Sequence, residues 1–250
     1  MLRSIEGLQG YTIFAKDGEI GKVHEFYFDD QTWVIRYLVG DTGNWLVGRR
    51  VLISPLALGQ PDWAAHTLPV GLTKKQVEDS PHISTDQPVS RQMEEELHTY
   101  YGWAPYWRGA TPLGGMGGLA VAQMIAGTKE EESETKEKEG DPHLRSTREV
   151  IGYYIQARDG EVGHVEDFIA DDEYWYIRYM VVDTRNWLPG KKVLVAPAWV
   201  EGVNWAENKV FVDLLRETIK HCPEYDPSAP VNREYEVRLY DYYGRPKYWL

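Results

Sequence analysis

Cysteine is almost absent from this chain of 250 residues, since Cys222 stands alone. A lone thiol excludes an intrachain disulfide framework and any site built from paired cysteines, and it suits a reducing compartment. Positive charge is also short: 27 Lys and Arg face 39 Asp and Glu, a formal net charge of −12. The deficit is spread evenly, with 10 basic and 14 acidic side chains over residues 2–108, 3 and 7 over 129–141, and 14 and 18 over 142–250. No segment is equipped to hold a phosphate backbone, so nucleic acid is disfavoured as a partner. No apolar run reaches the roughly 20 residues that a membrane-spanning helix needs, and the first patterned stretch begins without an apolar leader. These absences predict a cytoplasmic protein with no transmembrane segment. Phenylalanine is scarce as well, five against ten Trp and seventeen Tyr. Such amphipathic aromatics suit half-exposed strands and contact surfaces.

What the chain does contain, it contains twice. Trp33-Val34-Ile35-Arg36-Tyr37-Leu38-Val39-Gly40-Asp41-Thr42, followed by Asn44-Trp45-Leu46 and Gly48, returns as Trp175-Tyr176-Ile177-Arg178-Tyr179-Met180-Val181-Val182-Asp183-Thr184, followed by Asn186-Trp187-Leu188 and Gly190. Adding 142 to a residue number maps one copy on the other without a gap, and about 44 of roughly 107 paired positions are identical. A period this long marks domain-sized units rather than a solenoid. The expected organisation is a first repeat over 1–109, a linker over 110–142 and a second repeat over 143–250. Each repeat is long enough to bury a core.

Within a repeat, strands are expected near Gly10–Ala15, Gly21–Phe28, the Trp33 stretch, Val51–Ile53 and Thr67–Val70, the last matched by Lys209–Val212. Asp17-Gly18 reads as the tight turn of a hairpin. The Asp29-Asp30 pair ends the second strand as a polar turn, because adjacent strand-end acids point to different sides and chelate poorly. Arg36 is expected to meet Asp41 or a cross-strand acid such as Glu25. Short strands and Gly turns give a mainly β fold of two tandem small antiparallel barrels, with a single open sheet as the competing geometry.

Each barrel is followed by short helices and an aromatic tail. Thr73 and Gln76 form a capping-box pattern. Ser90 and Asn232 are matched N-cap residues, and Gly102 and Gly244 are matched stops. Behind them lie Trp103-Ala104-Pro105-Tyr106-Trp107 and Pro246-Lys247-Tyr248-Trp249. The linker is Gly/Ala-rich over 111–127 and acidic low complexity over 129–141, which predicts a flexible spacer. Its apolar run Leu119–Ala126 is too short to span a bilayer, and it lacks the basic neighbours that a surface anchor uses.

Gly10, Asp17-Gly18-Glu19-Ile20-Gly21, the Trp33–Thr42 strand, Asn44-Trp45-Leu46-x-Gly48-Arg49 and Val51-Leu52-Ile53-Ser54-Pro55 together resemble a PRC-barrel domain. The second copy repeats this pattern with Ala196 in place of Ser54. The resemblance covers roughly 5–80 and 147–222, and the tails resemble extensions of stand-alone bacterial members. It implies a small β-barrel used for protein–protein contact. The family includes the cytoplasmic domain of the photosynthetic reaction centre H subunit and the C-terminal domain of a ribosome maturation factor. The transmembrane helix of the first and the separate N-terminal domain of the second are not expected here, which weakens electron-transfer support and ribosome assembly as inherited roles.

The residues offer little conventional chemistry. Gly114–Gly118 lacks the Lys-Ser/Thr of a phosphate loop. The seven histidines form no metal-ligand spacing and none recurs at matched positions. Arg49-Arg50 and Lys191-Lys192 read as solvated loop charges. No catalytic, cofactor or metal residue is assigned, and the expectation is a non-enzymatic interaction or scaffold module with a protein partner. Its candidate contacts are Trp45, Trp187, Tyr106, Trp107, Tyr248 and Trp249, because Trp and Tyr dominate contact hot spots. The repeats are expected to pair as a pseudo-twofold within the chain, a homo-oligomer being the variant of that arrangement. Two other readings stay open: membrane- or photosynthesis-associated support of the H-subunit kind, and a small-ligand or enzymatic site between the barrels.

Overall fold

The computed structural model describes residues 1–82, 89–108, 143–184 and 191–249. The linker over 110–142, most of the 82–89 link and Trp187 lie outside the described residues. The chain divides into two compact units. Unit 2 comprises Gly10–Tyr27 and Arg36–Leu144, while unit 1 comprises Met1–Gln9, Phe28–Ile35 and Arg145–Leu250.

The strands are β1 (Leu2–Ser4), β2 (Thr12–Ala15), β3 (Gly18–Asp29), β4 (Val34–Asp41), β5 (Arg50–Ile53) and β6 (Thr67–Pro69), then β7 (Leu144–Ser146), β8 (Tyr154–Ala157), β9 (Gly160–Asp171), β10 (Ile177–Asp183), β11 (Lys192–Val195), β12 (Val200–Asn204) and β13 (Lys209–Val212). The helices are α1 (Lys74–Glu78), α2 (Arg91–Tyr101), α3 (Thr147–Val150), α4 (Arg216–His221) and α5 (Arg233–Tyr243). One sheet runs β5-β4-β3-β2-β6 with β7 also on β3. The other runs β11-β10-β9-β8-β13-β12 with β1 also on β9. The mainly β expectation holds.

The all-antiparallel pairing does not hold. β6 lies parallel to β2, and β13 parallel to β8. The long excursion after β5 explains this. It folds into a hairpin of its own, with bridges Leu58↔Val70 and Asp62↔Thr67, and its returning arm reaches β2 in the same direction. A parallel pair needs such a long connection, whereas a tight turn cannot supply it. The expected hairpin turn is displaced by one residue: Ala15 pairs with Gly18, so Lys16-Asp17 form the loop. Asp17 also accepts from Lys74 N–H at 2.7 Å, and Asp159 from Arg216 N–H at 2.8 Å, so each hairpin tip caps the short helix of its own repeat. β1 and β7, the identical tripeptides Leu-Arg-Ser, are too short to show a period.

β3 and β9 each carry a bulge, since Ile13 pairs with Gly21 and Phe14 with Glu19, while Ile155 pairs with Gly163 and Gln156 with Glu161. At Gly21 the backbone comes so close to β4 that a Cβ would strike the carbonyl of Asp41. Gly163 stands against Asp183 in the same way. The sheet cores follow. Ile13, Phe26, Tyr37, Leu38 and Ile53 are fully buried in unit 2, and Ile155, Phe168, Tyr179, Met180 and Val195 in unit 1. In β4 both faces are covered, which explains its nearly continuous apolar run. Arg49 donates to the carbonyls of Glu78 at 2.7 Å and Ser80 at 2.5 Å. Lys191 donates to those of Lys220 at 2.6 Å and Cys222 at 2.9 Å. The first residue of each basic doublet therefore closes the carbonyl end of a helix rather than standing in solvent.

Gly21→Ala should destabilise the protein by about 2–3 kcal/mol, because the collision comes with a φ of 148° that an alanine resists. Denaturant unfolding of the variant checks this, and a loss below about 0.5 kcal/mol would contradict the close approach.

Candidate functional site

The feature that recurs most completely is a buried glutamate under each aromatic tail. α2 begins at Ser90, whose hydroxyl accepts from Met93 N–H at 3.3 Å, and α5 at Asn232, which accepts from Tyr235 N–H at 2.9 Å. Each helix ends at a left-handed glycine, Gly102 with φ 69° and Gly244 with φ 61°, a conformation that glycine adopts without a Cβ penalty. This framing sets Glu94 and Glu236 one turn in, facing the sheet, where they are 0% and 2% exposed.

In unit 2, Glu94 Oε1 accepts from Tyr37 OH on β4 at 2.9 Å and from Tyr106 OH on the tail at 2.5 Å. Its Oε2 pairs with Arg91 at 2.8 Å. In unit 1, Glu236 Oε1 accepts from Tyr179 OH at 2.8 Å and Tyr248 OH at 2.7 Å, and Oε2 pairs with Arg233 at 3.0 Å. Arginines then cover the tails. Arg36 stacks 4.0 Å over Tyr106 and Arg91 4.5 Å over Trp107, while Arg178 lies 4.4 Å over Tyr248 and Arg233 4.1 Å over Trp249. Burial, and then the neighbouring glutamate, push the Tyr37, Tyr179 and Tyr248 hydroxyls well above the ordinary tyrosine range. They remain neutral donors at any ordinary pH. The arrangement is a lock that holds each tail on its own repeat.

The tail residues Tyr106, Trp107, Tyr248 and Trp249 are thus brought together with a carboxylate and two arginines. Tyr106, Trp107 and Trp249 are half-buried, and Tyr248 is 38% exposed. Trp45 sits apart, half-buried on the connector after β4, with Lys74 4.6 Å over its ring. Beside it opens a hollow of about 580 Å³ lined by Ile20, His24, Asp41, Thr42 and Asn44, and Val47 two residues on is 85% exposed.

Sequence reasoning missed the two glutamates' role. Glu94 was visible only as a recurring acid on a helix of otherwise exposed acids, Glu95 and Glu96. Its match at Glu236, combined with Tyr37/Tyr179 and Tyr106/Tyr248, was the available signal. Arg36 was expected to meet Glu25 or Asp41. It lies over Tyr106, and its match Arg178 also pairs with Asp171 at 2.8 Å, because the tail returns over that face of the sheet. Asp29 serves the expected turn by accepting from the N–H groups of Gln31 and Thr32 at 3.0 and 2.9 Å. Asp30 and Asp172, however, pair with Arg145 and Arg3, each at 3.3 Å. Among the described residues no group of three His, Cys, Asp or Glu is placed to hold a metal, and no helix is long and apolar enough to cross a membrane.

Residues 3–57 match the PRC-barrel domain family. That stretch runs from β1 through β5 to the short 3₁₀ turn at Pro55–Ala57. The shift of 142 carries it onto 145–199 of the second copy. No curated protein matches the chain.

The lock differs between copies at one position. His98 stands where Tyr240 stands, with Nε2 2.9 Å from Tyr37 OH and its ring against Trp107 at 4.9 Å. Tyr240 meets Trp249 at 5.0 Å. Burial lowers the His98 pKa from its ordinary 6.5. A proton therefore binds the unfolded state better, and the stabilisation that His98 gives above about pH 6.5 is lost as pH falls through that value toward the lowered one.

Glu236→Ala should cost about 2–3 kcal/mol in denaturant unfolding, since it leaves the buried Tyr179 hydroxyl without its acceptor and frees the tail at Tyr248. A loss under about 1 kcal/mol would contradict the lock. Acidification from pH 7.5 to 5 should lower the amide protection factors, exchange rates corrected for the intrinsic pH dependence, around residues 103–107. His98→Tyr, which installs the second copy's residue, should flatten that response.

Proposed function

We propose that this chain is a non-enzymatic interaction module, built from two PRC-barrel-like repeats, that works by holding a protein partner. The observation that carries this reading is the use made of the recurring ionisable residues. Glu94 and Glu236, Arg36 and Arg178, and Arg91 and Arg233 are the groups on which a duplicated catalytic site would draw. In both repeats they are committed to fixing a tail. A carboxylate whose one oxygen already accepts from two tyrosines and whose other oxygen is ion-paired with an arginine has little capacity left to move a proton for a substrate.

The PRC-barrel match over residues 3–57 supports the same reading, because the resemblance implies contact rather than catalysis. In this proposal each sheet closes as a barrel and the chain works in the cytoplasm. The tails shape the repeats, and the connector after β4 meets the partner. Trp45 is anchored by Lys74 while Val47 stays exposed, which leaves an apolar rim beside the hollow at Ile20 and Thr42. Trp187 is its match in the second copy. The test is affinity capture from lysate of the source cells with the full chain and with the Trp45→Ala/Trp187→Ala double variant. A specific protein held by the first and reduced at least tenfold with the second is expected. Equal capture by both would remove the connector as the contact, and turnover of a small substrate by the purified chain would overturn the reading itself.

A further inference from the structure

Unit 1 joins residues that are far apart in sequence. β1 pairs antiparallel with β9, in the register Leu2↔Asp171, Arg3↔Ala170 and Ser4↔Ile169. Ile5 N–H continues the ladder to Phe168 O at 2.9 Å. Asp167, at the edge of that ladder, accepts from Ser4 OH at 2.5 Å and from Glu6 N–H at 2.9 Å. Residues 28–35 enter the same unit. Ile35 N–H donates to Trp175 O and Ile177 N–H donates to Trp33 O, both at 2.8 Å, around an antiparallel bridge between Val34 and Tyr176. Trp33 and Trp175 share the left-handed backbone, each with φ 57°. Phe28 packs on Phe168 with ring centres 5.7 Å apart.

Three of these contacts are reciprocal under the sequence shift, the pairing of β1 with β9 being matched by that of β7 with β3. Exchanging each residue with its match turns the Ile35–Trp175 bond into the Ile177–Trp33 bond. It also turns the Arg3–Asp172 pair into the Arg145–Asp30 pair, and the two pairs have the same 3.3 Å separation. A left-handed non-glycine residue is uncommon, and a tryptophan there is strained unless its surroundings hold it. Two at matched positions, hydrogen-bonded across one bridge, form a self-complementary contact of the kind that joins identical subunits.

We infer that the Leu-Arg-Ser strand and the Phe28–Ile35 hairpin tip, with their matches in the second copy, form a self-complementary contact that holds without the covalent link, so that the matching half of a second copy of this chain can take the place of the chain's own. The bonding needs two matched copies of the surface and not a covalent link between them. An Arg-Ser strand held by Asp172 and Asp167 finds the same acceptors on any copy that presents them.

The full chain, carrying a specific protease site within residues 110–142, tests this after complete cutting. The two pieces should stay together at the mass of the intact chain. Isotopically light and heavy cut samples, once mixed, should give hybrid complexes in native mass spectrometry. The Arg3→Glu/Arg145→Glu variant should lose the association after cutting, and adding Asp30→Arg/Asp172→Arg should restore it, which separates a lost contact from a lost fold. Pieces that separate in the unaltered cut chain would overturn the inference. So would hybrids that never form, or an association indifferent to charge reversal.

Discussion

A carboxylate removed from water must be given donors, and that requirement organises each repeat of this protein. Glu94 and Glu236 are almost wholly buried, and an ionised group in that position costs several kcal/mol unless its oxygens are engaged. The partners come from three parts of the chain. A tyrosine on β4 or β10 and a tyrosine on the tail donate to one oxygen, and an arginine on the helix itself pairs with the other. Sheet, helix and tail therefore meet at one atom group, and none can shift without stranding another. Apolar burial alone is non-directional and would let a helix slide on the sheet. A short hydrogen bond to a charged acceptor fixes the helix register and the place where the tail turns back.

The same constraint decides how the aromatics are used. Tyr and Trp could serve contact or packing equally well by composition. Once Tyr106 and Tyr248 donate to a buried acceptor, their rings lie flat on the sheet side and offer faces to Arg36 and Arg178. Arg178 then sits between the Tyr248 ring and Asp171. The tryptophans that follow, Trp107 and Trp249, are covered by the next arginine on the helix. Charge and aromatic surface are interleaved within each tail, and this explains how a chain so rich in Trp and Tyr keeps most of them off its outer surface.

Much of the fold was legible because its signals are local. Asp17-Gly18, the Thr73–Gln76 box, Ser90 and Asn232, and Gly102 and Gly244 each act within a few residues, and the structure places the helix starts and stops there and the hairpin loop one residue earlier than Asp17-Gly18. What escaped is non-local. The parallel strands β6 and β13 follow from where a long excursion returns, which no spacing records. β1 and β7 are three residues long and find their place through Asp172, Asp30 and a ladder more than a hundred residues away. Of the candidate site, the recurring tyrosines and tryptophans could be named. The acid beneath them could not, because buried Glu94 and its exposed neighbours Glu95 and Glu96 read alike in a sequence.

The duplication allows one more step, because it shows which features the geometry demands and which it only permits. Arg49 and Lys191 differ in shape and donor count, yet both reach the last carbonyls of the helix after β6 or β13. What that place demands is a cation at a helix C-terminus. His98 and Tyr240 differ in chemistry, yet both put a flat polar ring between the sheet tyrosine and the tail tryptophan. What that place demands is a ring, and its proton chemistry is free to vary. Glu94/Glu236, Tyr37/Tyr179 and Tyr106/Tyr248 do not vary, and their geometry agrees to within about 0.2 Å between copies. An arrangement held that closely in both repeats is bound by its own bonding. A partner or substrate need not be invoked to explain it, so the features that serve a partner are better sought at positions whose exposure the lock does not require.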